Sequence, residues 1–259
     1  MARFLSTVLA GAAALLLAGD LSTGAPNKLP PQFKLCTRDE KLTSCLEEAF
    51  VVALHQLAPG LPEFGIPSLD PLHLPEIGVG DETSNSPVNL RIHLTDILVH
   101  NLKTAKPSNT KADLDNYQLS THGIVNLLGV EADYVMDGRI LLLPAKGKGR
   151  VSFNVTNLEG DAAFKGEKQI KKGKEYLKIN QFDFRITHIE SVNIYFDNLF
   201  NGDKTLGPPI NKLINENWQE IWSQVQLPLQ ELLQYTFKEF ARRIFDKVPM
   251  DDVFLQKTR

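Results

Sequence analysis

INKLINENWQEIWSQVQLPLQELLQYTFKEFARRIFDK, residues 210–247, decides how this chain is read. Within it Ile210, Leu213, Ile214, Trp218, Ile221, Trp222, Val225, Leu229, Leu232, Leu233, Phe237, Phe240, Ile244 and Phe245 recur at three- and four-residue steps, which makes one apolar stripe on one helix. At 1.5 Å per residue such a helix would run about 55 Å, and Pro228 inside it predicts a kink. A helix that long exceeds the diameter of a compact small domain. Its stripe needs a cover of matching length.

The cover lies upstream, where the period becomes two. Val88, Leu90, Ile92 and Leu94 alternate with polar residues, and so do Leu128, Val130, Ala132 and Tyr134. Ile140 with Leu142, then Val151, Phe153 and Val155, then Phe182, Phe184 and Ile186, then Val192, Ile194 and Phe196 continue the pattern. Asp137-Gly138, Gly147 to Gly149, Glu159-Gly160 and Gly173 read as turns between the runs. This predicts a long antiparallel meander with one buried face, and a sheet of that extent must curve strongly. The expected fold class is α+β: one elongated domain in which a curved sheet wraps a long C-terminal helix.

The N-terminal third supplies less regular pieces. Thr37 followed by Glu40 resembles a capping box, and Leu42, Leu46, Ala49, Phe50, Ala53, Leu54 and Leu57 form one helical face that Pro59-Gly60 stops. Residues 59–87 contain six prolines and read as an extended connector. Before all of this, Arg3 precedes an uncharged run from Phe4 to Ala18, and small residues follow at Ser22 to Ala25. That is the pattern of a cleaved secretory signal over residues 1–24, with the cut between positions 18 and 25, leaving 25–259 as a single domain. The run is shorter than the roughly 20 residues of a membrane span, and no later stretch is apolar enough to span a bilayer.

Length, charge and cysteine count narrow the function classes. The chain has 259 residues, a formal charge of -3, 42% hydrophobic and 23% charged residues. This is an ordinary globular composition with no basic footprint for nucleic acid. In a secreted chain Cys36 and Cys45 read as a short disulfide that pins the N-terminal arm to the first helix. Two free thiols or half a metal site are the alternatives; zinc would need further ligands, and the six histidines are scattered.

The stretch Tyr195-Phe-Asp-Asn-Leu-Phe-Asn-Gly-Asp-Lys-Thr-Leu-Gly207, followed by Asn211-Lys-Leu-Ile-Asn-Glu-Asn-Trp218, resembles the C-terminal signature of the insect takeout and juvenile-hormone-binding proteins. The Cys36/Cys45 pair after Leu-Pro-Pro-Gln-Phe-Lys, Gly65-Ile-Pro-Ser-Leu-Asp-Pro-Leu72, and Gly138-Arg-Ile-Leu-Leu-Leu-Pro144 with its following glycines also match, in order along the whole mature chain. The resemblance implies a hydrophobic tunnel between helix and sheet, similar to the tubular lipid-binding modules of bactericidal/permeability-increasing protein. The haemolymph juvenile-hormone carriers have a second disulfide. This sequence has no cysteine after Cys45, which favours the takeout branch.

G-x-S-x-G, H-E-x-x-H and the phosphate-binding G-x-x-x-x-G-K-[ST] are all absent, and His188-Ile-Glu190 lacks the P-C-x-x-C partner of a deaminase site. No catalytic residue, metal or cofactor is expected. Lys165, Lys168, Lys171, Lys172, Lys174 and Lys178 around Gly173 read as a solvated hairpin, with docking to a receptor or acidic lipid surface as the alternative. Asn154-Val-Thr156 is an N-glycosylation sequon on the outward face of a strand.

The expected function is a secreted carrier for a hydrophobic small molecule: a terpenoid such as juvenile hormone, a fatty acid or another long-chain lipid. The tunnel candidates are Trp218, Trp222, Val225, Leu229, Leu233, Phe237 and Phe240 on the helix, with Tyr134, Ile140, Phe153, Phe184 and Phe196 on the sheet. A monomer in haemolymph or another extracellular fluid is expected, without stable membrane insertion. Family resemblance adds roles in feeding, circadian or hormone-related physiology. The competing reading is an extracellular interaction protein with a packed interior and no transported ligand.

Overall fold

The structure, a computed structural model, describes residues 28–80, 88–140 and 142–257. The expected signal segment lies outside them. A 16-residue helix, α1 (Leu42–Leu57), follows the short strand β1 (Cys36–Thr37). The sheet strands are β2 (Leu72–Leu74), β3 (Ile77–Val79), β4 (Val88–His100), β5 (Lys106–Asp113), β6 (Gln118–Ile140), β7 (Leu143–Lys171), β8 (Lys174–His188) and β9 (Ser191–Phe196). Helices α2 (Gly207–Glu216), α3 (Trp218–Phe245) and α4 (Met250–Val253) come next, and β10 (Phe254–Leu255) closes the chain by pairing in parallel with β1.

Two very long strands organise the sheet. β6 and β7 pair antiparallel from Gln118↔Lys165 to Ile140↔Leu143. The free side of β6 is covered first by β5 and then by β4, and that of β7 by β8 and then β9. The 29 residues of β7 would span roughly 95 Å if straight. Accumulated twist forbids that, and bulges add bends. Register shifts fall between Thr95 and Leu98, Ser108 and Lys111, Glu159 and Gly160, and Lys165 and Gly166. The result is a coiled sheet whose inner face receives α3 along β8, α1 along β5, and α2 along β9.

Several local expectations need correction. Thr37 sits in β1 opposite Leu255, so no capping box forms; α1 starts at Leu42, with the Asp39 carboxylate accepting from the Lys41 N–H. The proline-rich connector is not wholly extended coil: it contains a 3-10 turn at Pro62–Phe64 and the strands β2 and β3, both on the edge of β4. The single long helix is two. It breaks at Asn217, whose side chain donates to the Leu213 carbonyl, whereas helical bonding runs on through Pro228. Ile140 and Leu142 do not share a strand face; Ile140 ends β6 in the core, and Leu142 lies at the hairpin tip, 94% exposed.

Of the glycines read as turns, only Gly173 makes one. Gly138, Gly147, Gly149 and Gly160 lie inside β6 and β7. Close approach explains them: a Cβ on Gly149 would sit 2.0 Å from the Asp197 carboxylate, which accepts from the Arg150 N–H.

The helices are tied to the sheet edge by side-chain amides. Asn211 accepts from the Phe196 N–H and donates to its carbonyl, at 2.9 and 2.8 Å; Asn215 does the same with Ile194 at 2.8 and 2.7 Å. Further along, Gln230 accepts from the Ile186 N–H and Gln234 from the Phe184 N–H, while Gln226 donates to the Ile186 carbonyl. β8 and β9 pair only with β7 among the described strands, so their outer polar groups would otherwise need water. These amides act as a surrogate strand and fix where the helix stripe lies over the sheet.

Candidate functional site

Between the helices and the sheet runs one cavity of about 500 Å³. Its helix wall is the apolar stripe of α3 from Trp218 to Phe245, which at 1.5 Å per residue is about 40 Å of length. Trp218, Ile221, Trp222, Val225, Leu229, Leu232, Leu233, Phe237, Phe240 and Ile244 all face it. The opposite wall comes from alternate strand residues, which share one face because strand side chains alternate: Val130, Phe153, Val155, Phe184, Ile186, Val192 and Ile194. Small residues make the room. Gly123 on β6 and Ala162 on β7 border the cavity with little or no side chain to fill it.

Nine of the twelve tunnel candidates border this cavity: the seven on α3, together with Phe153 and Phe184. Phe184 and Phe237 meet across it edge-on, with ring centroids 5.4 Å apart. Tyr134, Ile140 and Phe196 do not border it. They lie in the filled part of the core with Leu199 and the α2 residues Ile210 and Ile214. The Tyr134 ring meets that of Phe196 edge-on at 4.7 Å, and its hydroxyl donates to the Asp197 carbonyl. Burial, aided by the nearby Asp197 charge, pushes the Tyr134 phenol up to about 12.

Residues outside the stripe and the meander complete the wall. α1 contributes Ala49, Phe50, Ala53, Leu54 and Leu57, and the arm before it contributes Leu29, Phe33 and Lys34. The α1 periodicity was visible in the sequence, but which partner it faced was not. Cys36 and Cys45 form the expected disulfide, which holds arm and helix together at this end of the tunnel.

Polar groups along the tunnel are few. The Thr121 hydroxyl is 2.9 Å from that of Thr110 and has the Ser108 and His122 carbonyls within reach. The His122 ring is held by Asp161 and Glu159, at 2.9 and 3.4 Å. Lys34 pairs with Glu48 on α1. No cluster of three or more metal-ligating side chains occurs among the described residues.

The other sites singled out from the sequence lie elsewhere. Asn154 is exposed on the outer face of β7, between Gly129 and Asn193. Around Gly173 most lysines have partners: Lys168 with Glu175, Lys178 with Glu167, Lys174 with Asp252, and Lys171 with the Asp246 carbonyl. That disposition agrees with a solvated hairpin.

A coiled antiparallel sheet closed over a long helix, with an apolar channel between them, defines a class of proteins that bind hydrophobic ligands. Residues 10–255 match the family described as Haemolymph juvenile hormone binding protein. The chain belongs to this family of insect takeout and juvenile-hormone-binding proteins. It is 24% identical to the circadian clock-controlled protein daywake of Drosophila yakuba over 242 residues, covering 91% of this chain and 90% of that one. The Drosophila melanogaster daywake protein is 22% identical over 250 residues, with the same coverage. Among solved structures, Takeout 1 of Epiphyas postvittana superposes with a TM-score of 0.75 at 23% identity, covering 86% of this chain and 99% of that chain. The shared fold is thereby established.

Proposed function

We propose that this protein is a secreted, monomeric carrier that holds one long apolar ligand in the tunnel along α3. The observation that carries the reading is the continuity of the cavity from Trp218 to Phe245 with almost no polar group in its wall. A narrow channel some 40 Å long suits an extended chain better than a compact ring system. Binding would draw on apolar area removed from water, at roughly 25 cal/mol per Å². Fatty acids, terpenoids such as juvenile hormone, and other long-chain lipids fit that description.

Secretion is supported by the N-terminal sequence pattern, the Cys36–Cys45 disulfide and the haemolymph family. No helix among the described residues is long and apolar enough to cross a membrane. In such a compartment Asn154, exposed on the outer face, would carry a glycan, and loss of a mobility shift on enzymatic deglycosylation in an Asn154→Gln variant would register it. The circadian description of the daywake relatives makes rhythmic expression the first physiological property to measure.

Quenching of Trp218 and Trp222, which both border the tunnel, tests the carrier directly. Titration with a long-chain apolar probe should quench them saturably, at one probe per chain. No quenching by any such probe would favour a filled interior and a role through surface contacts alone. Carriage without chemistry also implies that a chromogenic ester is turned over no faster than background.

A further inference from the structure

Lys34 stands apart from every other residue of the tunnel wall. Among the described residues it is the one lysine or arginine in the wall, and its side chain is 38% exposed. A residue that both borders the cavity and meets solvent marks where the channel reaches the surface. Position is fixed on either side: Phe33 is buried in the core, and Cys36 is locked to Cys45 of α1. A lysine so held can lay its methylenes along the apolar wall and keep its ammonium at the rim.

Among the described residues no other wall side chain offers an available positive charge. His122, the one other titratable group, already has its ring between Asp161 and Glu159. The Thr121 hydroxyl is engaged with Thr110 and backbone carbonyls. Glu48, the present partner of Lys34, is 66% exposed, and an ion pair so exposed to water is weak. A second carboxylate arriving at the rim on the end of a chain competes with Glu48 on favourable terms, because its tail is anchored in the tunnel.

We propose that Lys34 is a specificity residue at the tunnel mouth, and that the ligand it selects is a long-chain carboxylate, bound tail first with its head on the Lys34 ammonium. The proposal rests on the carrier reading but adds a head-group preference that the apolar wall alone cannot produce. A fatty acid and its methyl ester share the tail and differ only in the charge at the head.

Oleate and methyl oleate should therefore be compared by competition against a fluorescent apolar probe at neutral pH, in the wild type and in Lys34→Met and Glu48→Gln. The wild type should prefer oleate by about two- to fivefold, the range of a partly exposed charge pair. Lys34→Met should bring the acid-to-ester ratio close to one, Glu48→Gln should raise it, and added salt should lower it in the wild type. Unchanged thermal unfolding midpoints would confirm that the variants fold. Equal binding of acid and ester by the wild type would overturn the head-group proposal while leaving the carrier reading intact. So would an equal loss of both ligands in Lys34→Met, which marks a purely structural lysine. Binding of neither ligand by the wild type would remove the carrier reading and this proposal together.

Discussion

Tyr134 shows how far a single position is legible. Its place in the alternation of Leu128, Val130 and Ala132 puts it on the inner face, and it is buried there. Whether an inner-face residue borders a void or a packed neighbour depends on what crosses from the other side. At this end Phe196 and α2 cross, so the tunnel stops short of Tyr134, Ile140 and Phe196. The buried phenol has a pH consequence. Its pKa in the fold is raised to about 12 from an unfolded value near 10. The unfolded state therefore loses the proton first, so the associated stability is complete below pH 10 and drains away as pH rises towards 12. The amount is about 2–3 kcal/mol. Free energies of urea unfolding for wild type and Tyr134→Phe should diverge in the variant's favour across that window; parallel curves would contradict the assignment.

Glycines make the same point. Sequence cannot distinguish a glycine that turns from one that lets two backbones approach. A Cβ on Gly138 (φ 154°) would lie 2.2 Å from the Asn89 carbonyl oxygen, whereas one on Gly173 (φ 77°) meets nothing within 4 Å. Gly138→Ala should destabilise the fold by about 2–3 kcal/mol and Gly173→Ala by about 1 kcal/mol, both read from chemical denaturation. Similar losses at the two sites would show that backbone conformation alone decides.

At the scale of elements, the helix stripe and the strand alternation were plain in the sequence, and the joints were not. Periodicity runs straight through Asn217, yet the helix breaks there, because an apolar stripe does not record where the axis changes. The amides along the sheet edge were visible as letters: Asn211 and Asn215 four apart, Gln226, Gln230 and Gln234 four apart. Their spacing matches one helix face, but their partners, the polar groups of Ile194, Phe196, Phe184 and Ile186, lie on strands that sequence reading cannot register against the helix. Asn215→Ala would leave both polar groups of Ile194 without the amide, at a cost of about 1–3 kcal/mol. Amide hydrogen exchange at Ile194 should accelerate well beyond that at Val192. Asn215→Asp should fare no better, since a carboxylate accepts from the N–H but repels the carbonyl; full stability in the aspartate variant would mean that the carbonyl half of the clamp contributes nothing.

For the molecule as a whole, the architecture followed from a mismatch of lengths. A helix stripe too long for an ordinary core needs an equally long cover, and only the meander could supply it. What patterning could not say was that part of the space between them stays open. That depends on small residues at inner positions, Gly123 and Ala162, and on α1 and α3 bordering the same space. An open channel of this length makes affinity a function of chain length. In a homologous series of fatty acids each added methylene should tighten binding by about 0.8 kcal/mol, until the chain outgrows the tunnel.

Native mass spectrometry of the purified protein, taken with and without a long-chain lipid and followed by denaturing extraction, tests the central claim most directly. The tunnel predicts a folded ion carrying one lipid of high chain length, recovered intact on extraction and taken up again by the stripped protein at one per chain. A folded ion that carries no lipid as isolated, and takes up none at any chain length, would contradict it.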